Sequence, residues 1–255
     1  MACADSTEIA LPFTQSHRAD PAASGCLGLG CVSLERGSVM ECCPGGNAYE
    51  VEFSRDYARS TAQRYVRRGL TRLAGRMVDF LDTRGIEGAS ILEIGGGVGY
   101  LCIDLLRRGA ATATNLDLSP NYEEEGRELV TRYGLAGRLA RLQLDIAQDP
   151  DAVSPADVVI LNRVVCCYPD YGGLLSAAGS HARSLLVMSY PTANPWTRLW
   201  LMMENWSNVV RGREFRAYLH DPAAMIGILE RNGLGLVMEH QGPMWSIAGF
   251  ERRAA

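Results

Sequence analysis

The stretch ILEIGGGVGY, residues 91–100, decides the fold. An apolar run ends in three consecutive glycines, Gly95 to Gly97, and a fourth follows at Gly99. The pattern predicts a buried strand, a tight turn and a helix. A glycine cluster between a strand and a helix lets a ligand approach the backbone closely. Gly95, Gly97 and Gly99 lie two apart, whereas the dinucleotide fingerprint is G-x-G-x-x-G and would need glycine where Tyr100 stands. No Gly-Lys-Ser/Thr follows, so the loop is not a P-loop. Glu93, near the strand's end, would repel a pyrophosphate. A carboxylate there suits a ligand carrying a positive ammonium or sulfonium group.

Outward from this stretch the chain alternates. Helix is expected at GYLCIDLLRRG, strand at ATATNLDLS, helix at PNYEEEGRELVTRYG and strand at LARLQLDI. ADVVILN follows as a strand, YGGLLSAAGSHA as a helix and SLLVMSY as a strand. Apolar strands alternating with helices imply a parallel sheet covered on both faces. On the N-terminal side, Ser54 is placed to cap a helix running to about Arg68, and Gly69 interrupts it. A second helix over 70–83 puts Leu70, Leu73, Met77, Phe80 and Leu81 on one face. After Pro191 come a bulky amphipathic helix, PWTRLWLMMENWSNVVRG, and a second one capped by Asp221 and closed by Gly233. The last two strands flank the turn QGP, so they pair antiparallel. The expected fold is α/β: a single doubly wound, mostly parallel, seven-stranded sheet with an antiparallel C-terminal strand. The expected organisation is a poorly ordered tail over 1–40, an N-terminal helical lid over 41–85 and one domain over 86–255. That domain carries a helical cover at about 191–233.

Composition narrows the function. The chain has 255 residues, 47% apolar and 21% charged, which suits a globular protein and not a disordered one. There is no lysine, so Schiff-base chemistry and a P-loop lysine are excluded. A net charge of −4 without a basic patch argues against a nucleic-acid partner. No apolar run has the length of a membrane span. The N-terminal residues lack a basic stretch followed by an apolar one, so the expected location is the cytoplasm. No membrane partner is expected, and the expected state is a monomer or a homodimer.

LEIGGGVG resembles the first motif of class I S-adenosylmethionine-dependent methyltransferases. In that family the glycine turn passes beside the methionine part of the cofactor and the preceding acid helps to bind it. The resemblance therefore implies S-adenosyl-L-methionine as cofactor, with Glu93, Gly95, Gly96, Gly97 and Gly99 around its amino-acid end. A second acid closes the second strand and holds the ribose hydroxyls; Asp117, in NLDLS, fits, with Leu118 beside it. A third closes the third strand and receives the adenine amino group; Asp145, in LQLDI, fits, with Ile146 as an apolar wall. Asn162, at the end of ADVVILN, completes the implied set. Three acids at the carboxyl ends of successive strands are more specific than the glycines, and ligands bind open α/β sheets at that edge. The segment RGREFRAYLHDPAAMIGILERNG loosely resembles the C-terminal part of magnesium-protoporphyrin O-methyltransferases.

Methyl transfer from a sulfonium needs mainly positioning, and a base only where the nucleophile must lose a proton. The acceptor should lie beyond the fourth and fifth strands, near NRVVCCYPDY and SYPTANPW. His220 is the candidate base, because an ordinary histidine can take a proton near neutral pH. Tyr168 is a candidate contact to substrate or cofactor, and Tyr57 or Tyr65 is expected near the cofactor. The eight cysteines include the adjacent pairs Cys42–Cys43 and Cys166–Cys167. Their spacing is no zinc pattern and no metal is expected. The expected reaction transfers a methyl group to an O or N atom of a small, partly apolar or aromatic metabolite. Two alternatives remain: a thiol or metalloid methyltransferase using the cysteine pairs, and a non-catalytic protein that binds the cofactor.

Overall fold

Apolar residues alternate along each central strand, and the two sets fill two cores. A computed structural model describes residues 46–253. The expected tail, Cys3, Cys26, Cys31 and the Cys42–Cys43 pair lie outside the described residues. Strand β1 (Ser90–Ile94) sends Ile91 to one core and Leu92 and Ile94 to the other. Strand β4 (Ala156–Asn162) divides in the same way, with Val158 and Ile160 on one face and Val159 and Leu161 on the opposite one. This is the period-2 alternation of a sheet buried on both sides.

The remaining strands are β2 (Thr112–Asp117), β3 (Leu139–Gln143), β5 (Ala182–Pro191), β6 (Leu234–Gln241) and β7 (Trp245–Arg252). They form one seven-stranded sheet in the order β3-β2-β1-β4-β5-β7-β6. β1, β2, β3, β4 and β5 pair parallel, while β7 runs antiparallel to both β5 and β6. The strand order reverses between β1 and β4, which opens a crevice at their carboxyl ends. This is the expected fold class.

Helices α2 (Arg55–Arg68), α3 (Arg72–Asp82), α4 (Tyr100–Arg107) and α5 (Glu123–Arg132) contribute to the core on the Ile91 side. Helices α6 (Tyr171–His181) and α8 (Pro222–Arg231) pack on the opposite core. Ser54 caps α2 as expected, accepting from the Tyr57 N–H, and Thr71 caps α3. The chain also forms a short helix, α1 (Gly46–Glu52), and a long one, α7 (Pro195–Val210). Two boundaries differ from expectation. The helix expected from Pro120 begins as a 3-10 turn, Pro120–Tyr122. β3 stops at Gln143, so Asp145 lies in the following loop and not at the strand's end. Among the described residues no helix is long and apolar enough to cross a membrane.

Candidate active site

A cavity of about 510 Å³ lies against the carboxyl ends of β1, β2 and β4. Its size falls in the range of roughly 300–1,000 Å³ typical of small-molecule sites. One wall is the glycine turn. Gly95, Gly97 and Gly99 adopt positive φ of 64°, 57° and 80°, a region where side chains are strained. A Cβ on Gly95 would also stand 2.3 Å from the Val164 side chain. The turn is stitched to β2: the Gly96 N–H donates to the Leu116 carbonyl at 3.0 Å and the Gly97 N–H to Asp117 Oδ2 at 2.8 Å. Asp117 Oδ1 accepts the Ser119 N–H at 2.9 Å. Burial raises the Asp117 pKa, and these backbone donors oppose the rise. An ionised carboxylate offers about four lone pairs, so both oxygens can still accept from a ligand.

Glu93 is almost completely buried, at 1% exposure. Its Oε2 accepts from the Cys102 N–H and from the Asn115 amide, both at 3.3 Å. Burial pushes its pKa up to about 7, so it stands near half ionisation at neutral pH. Asn162, at the end of β4, donates to the Tyr100 hydroxyl at 2.7 Å and accepts from Ser189 at 3.1 Å. Glu93, Gly95, Gly96, Gly97, Asp117, Leu118 and Asn162 all line the cavity. Gly99 instead caps α4 in the left-handed conformation, outside the cavity lining.

The opposite wall comes from residues within 49–57 and 200–245. Tyr49 of α1 and Phe53, just after it, meet Phe215 edge-on, at 6.2 and 5.6 Å, and Phe53 also approaches Tyr57 and Tyr122. The Tyr49 hydroxyl donates to the Cys167 carbonyl at 3.0 Å. Trp200, Leu201 and Glu204 of α7, with Ala217 and Trp245, complete this side. The segment after α7 is held by side-chain amides. Asn205 bonds both the N–H and the carbonyl of Ala217 at 2.8 Å, and Asn208 donates to the Phe215 carbonyl.

Several expected residues take other places. Asp145 and Ile146 do not line the cavity. The Tyr168 hydroxyl, which belongs to a lining residue, donates to both Asp145 oxygens at 3.1 and 2.9 Å, and Ile146 is buried in the core. β3 ends at Gln143, which leaves Asp145 in the loop that follows. Tyr57 lines the cavity, but Tyr65 does not; it packs against Tyr100 and Tyr133. His220 also lies off the cavity wall. Its Nε2 faces the carbonyls of Val165 and Tyr168 at 3.1 and 3.2 Å, so it carries a proton and donates. Burial lowers its pKa, and the ring stacks near Tyr171 and Tyr218. This geometry fastens the cover to the 165–168 turn and presents no basic nitrogen to the cavity.

The cysteine pair sits on a 3-10 turn, Val165–Cys167, and not on a strand. Both residues line the cavity and their sulfurs are 3.6 Å apart. The hydrogen bond between the two thiols, with burial behind it, holds Cys167 protonated. Among the described residues no cluster of three or more His, Cys, Asp or Glu side chains could hold a metal ion.

Two residues were not anticipated. Arg141 of β3, with a side chain only 8% exposed, donates to the Gly97 carbonyl at 2.9 Å and to Glu123 at 3.0 Å. It braces the glycine turn, and its only signal in the sequence is a charge inside a short strand. Arg163 has a left-handed φ of 62° directly after β4, a strained conformation for a non-glycine residue. Its N–H bonds Ser189 and its guanidinium lies 4.6 Å from the Trp245 ring, at the cavity wall.

Comparison with known proteins agrees with this geometry. A family model described as a methyltransferase domain matches residues 58–239. The ribosomal protein L11 methyltransferase of Edwardsiella ictaluri is 32% identical over 112 residues, 40% of this chain and 37% of that protein. The match thus spans little more than a third of the curated relative. The magnesium protoporphyrin IX methyltransferase of Synechocystis PCC 6803, solved with bound SAH, superposes with a TM-score of 0.59 at 18% identity. That alignment covers 82% of this chain and 94% of the other. An O-methyltransferase family protein from Burkholderia thailandensis gives a TM-score of 0.61 at 20% identity, over 80% of this chain and 62% of that one. At these identities the two structures are evidence of shared fold alone.

Proposed function

Because the chain belongs to the methyltransferase-domain family and uses S-adenosylmethionine, we propose that it methylates an O or N atom of a small, partly apolar metabolite inside this cavity. The observation that carries the reading is the cavity's two unlike walls. Polar backbone and Asp117 stand on one side, and Tyr49, Phe53, Phe215, Trp200 and Trp245 on the other. The donor set fits the cofactor. The glycine turn brings backbone rather than side chains to the cavity, and Asp117 keeps lone pairs for a pair of hydroxyls. When bound, S-adenosylmethionine supplies a methyl group on a sulfonium cation. Glu93 favours that cation when ionised. Leu118, Asn162 and Tyr168, the last held by Asp145, line the same cavity. Tyr49, Phe53 and the aromatic side chains of the cover exclude water and present an apolar surface to the acceptor. His220 acts as a positioning residue for the cover, and α1 and α2 act as the lid.

The test is transfer of labelled methyl from S-adenosylmethionine into cell extract, followed by fractionation. Label in organic-extractable small molecules supports the reading. Label confined to protein or RNA overturns it. A second reading, with a soft thiophilic acceptor, is favoured by the two sulfurs on the cavity wall. It requires Cys166 and Cys167 for turnover.

A further inference from the structure

Helix α7 is built inside out. Its inward residues include Thr197 and Asn208, at 0% and 1% exposure, and the Thr197 hydroxyl finds no partner. Its outward residues are Trp196, Leu199, Trp200, Met202, Met203, Trp206, Val209 and Val210. Trp196 and Trp206 are 78% and 69% exposed. At 3.6 residues per turn these side chains cover about half of the helix circumference. A face with three indoles, each able to bury about 150–250 Å², exceeds the apolar patch of a few hundred Å² found on an ordinary monomer. The exposed charges of the helix and its C-cap are Arg198 and Arg211; the acid of the helix, Glu204, is half-buried at the cavity wall, and the exposed Glu214 lies beyond the cap, although the whole chain carries −4. By helical spacing the two arginines flank the apolar face on either side.

We infer that α7 lies in the interface of a lipid bilayer bearing anionic headgroups, with this apolar face turned into the acyl boundary. Tryptophan is the side chain suited to that depth, with an apolar ring and a polar N–H. Flanking arginines reach back to phosphate and add attraction to an anionic surface. A second copy of the chain suits the face less well. Paired with itself, it would bring the arginines of both copies to one contact with no exposed acid on the helix to answer them. It also offers few polar groups for the hydrogen bonds that such interfaces carry. The lack of a spanning helix does not bear on a helix lying in the membrane plane. Trp200 belongs both to the outward face and to the cavity wall, so the docked helix would join the cavity to the lipid phase. This last step rests on the acceptor reading given above; vesicle binding is measured without turnover, so the two can fail separately.

The test is flotation of the full chain with phosphatidylcholine vesicles, with and without phosphatidylglycerol. The wild type should float with the anionic vesicles. The double variant Met203→Glu/Trp206→Glu alters two exposed residues off the cavity wall. It should lose binding about tenfold or more while keeping its cofactor affinity and melting temperature. Arg198→Gln/Arg211→Gln should lose the preference for anionic lipid, several-fold for each charge. Failure to float with either vesicle, or flotation unchanged in the double variant, overturns the inference. A concentration-dependent dimer in sedimentation equilibrium, abolished by the same variant without any vesicle binding, assigns the face to a second copy and also overturns it.

Discussion

The two walls of the cavity are built by different means. The glycine-turn wall is an extension of the sheet: Gly96 bonds Leu116, Gly97 bonds Asp117, and Arg141 pins the turn from β3. Its polar groups are fixed by backbone geometry. The opposite wall is assembled from α1, α7 and the 213–220 segment, held by aromatic edges and by Asn205, Asn208 and His220. The first wall can recognise one constant ligand. The second is built mostly from helices and loops outside the sheet, Trp245 of β7 apart, and is free to vary with the acceptor. The comparison breaks if substitutions on the second wall cost cofactor affinity, or if those on the first do not.

Asp117→Ala should have the largest effect. It removes the acceptor for the Gly97 and Ser119 N–H groups and for any ligand hydroxyls at once. Each unmatched group costs about 1–3 kcal/mol, so cofactor affinity should fall about a hundredfold. Calorimetric titration with S-adenosylmethionine checks this, and binding within threefold of wild type would remove Asp117 from the site.

Glu93→Gln should act next, with opposite signs on binding and stability. In the folded chain Glu93 titrates near 7 against an ordinary value of 4.5. A raised carboxyl pKa gives stability that is complete below pH 4.5 and is lost as pH rises through 7. At pH 8 the buried charge therefore costs about 3 kcal/mol, which the neutral glutamine avoids. The ligand-free variant should melt higher than wild type at pH 8 and not at pH 4. A cationic ligand prefers the ionised acid, so wild-type affinity should weaken as pH falls from 8 to 6. The variant should bind about tenfold more weakly at pH 8, with no such slope. Melting curves and titrations at these pH values test both halves.

The same contrast explains what could be read from the sequence. ILEIGGGVGY, Asp117 and the strand alternation locate the sheet and the first wall, because local periodicity and turn chemistry set them. Asp145 lies in a loop and not at a strand's end because a strand's end depends on pairing with its neighbour, and β3 pairs only through Gln143. His220 looked like a base because its residue type permits that role; only the fold shows two carbonyls in front of Nε2. Helix α7 was legible as amphipathic, but periodicity does not say which face turns inward. Arg141 and Arg163 carry no motif at all.

His220→Gln sharpens the point on the second wall. Glutamine keeps a donor for the Val165 and Tyr168 carbonyls but loses the stacking on Tyr218 and the tilted ring contact with Tyr171. Stability should fall by about 1 kcal/mol in denaturant titration. Cofactor affinity should stay within twofold, and the pH dependence of turnover should keep its midpoint. Loss of turnover by two orders of magnitude, with the alkaline limb of the profile removed, would restore the histidine as base.

The smallest effect is expected from replacing Cys166 and Cys167 together by serine. Both residues line the cavity, so position alone would allow them a chemical role. Their hydrogen bonds argue for a structural one. Each sulfur lies 3.7 Å from the Arg163 carbonyl, and the Cys167 carbonyl receives the Tyr49 hydroxyl. The pair thereby closes the turn that carries the strained Arg163 and anchors α1. Serine is slightly smaller and keeps the donors, so turnover on an oxygen or nitrogen acceptor should change less than twofold. A soft acceptor would instead need the thiolates themselves, and serine would abolish its methylation. Measuring labelled methyl transfer by the double variant therefore separates a wall that shapes the acceptor pocket from one whose thiolates hold the acceptor.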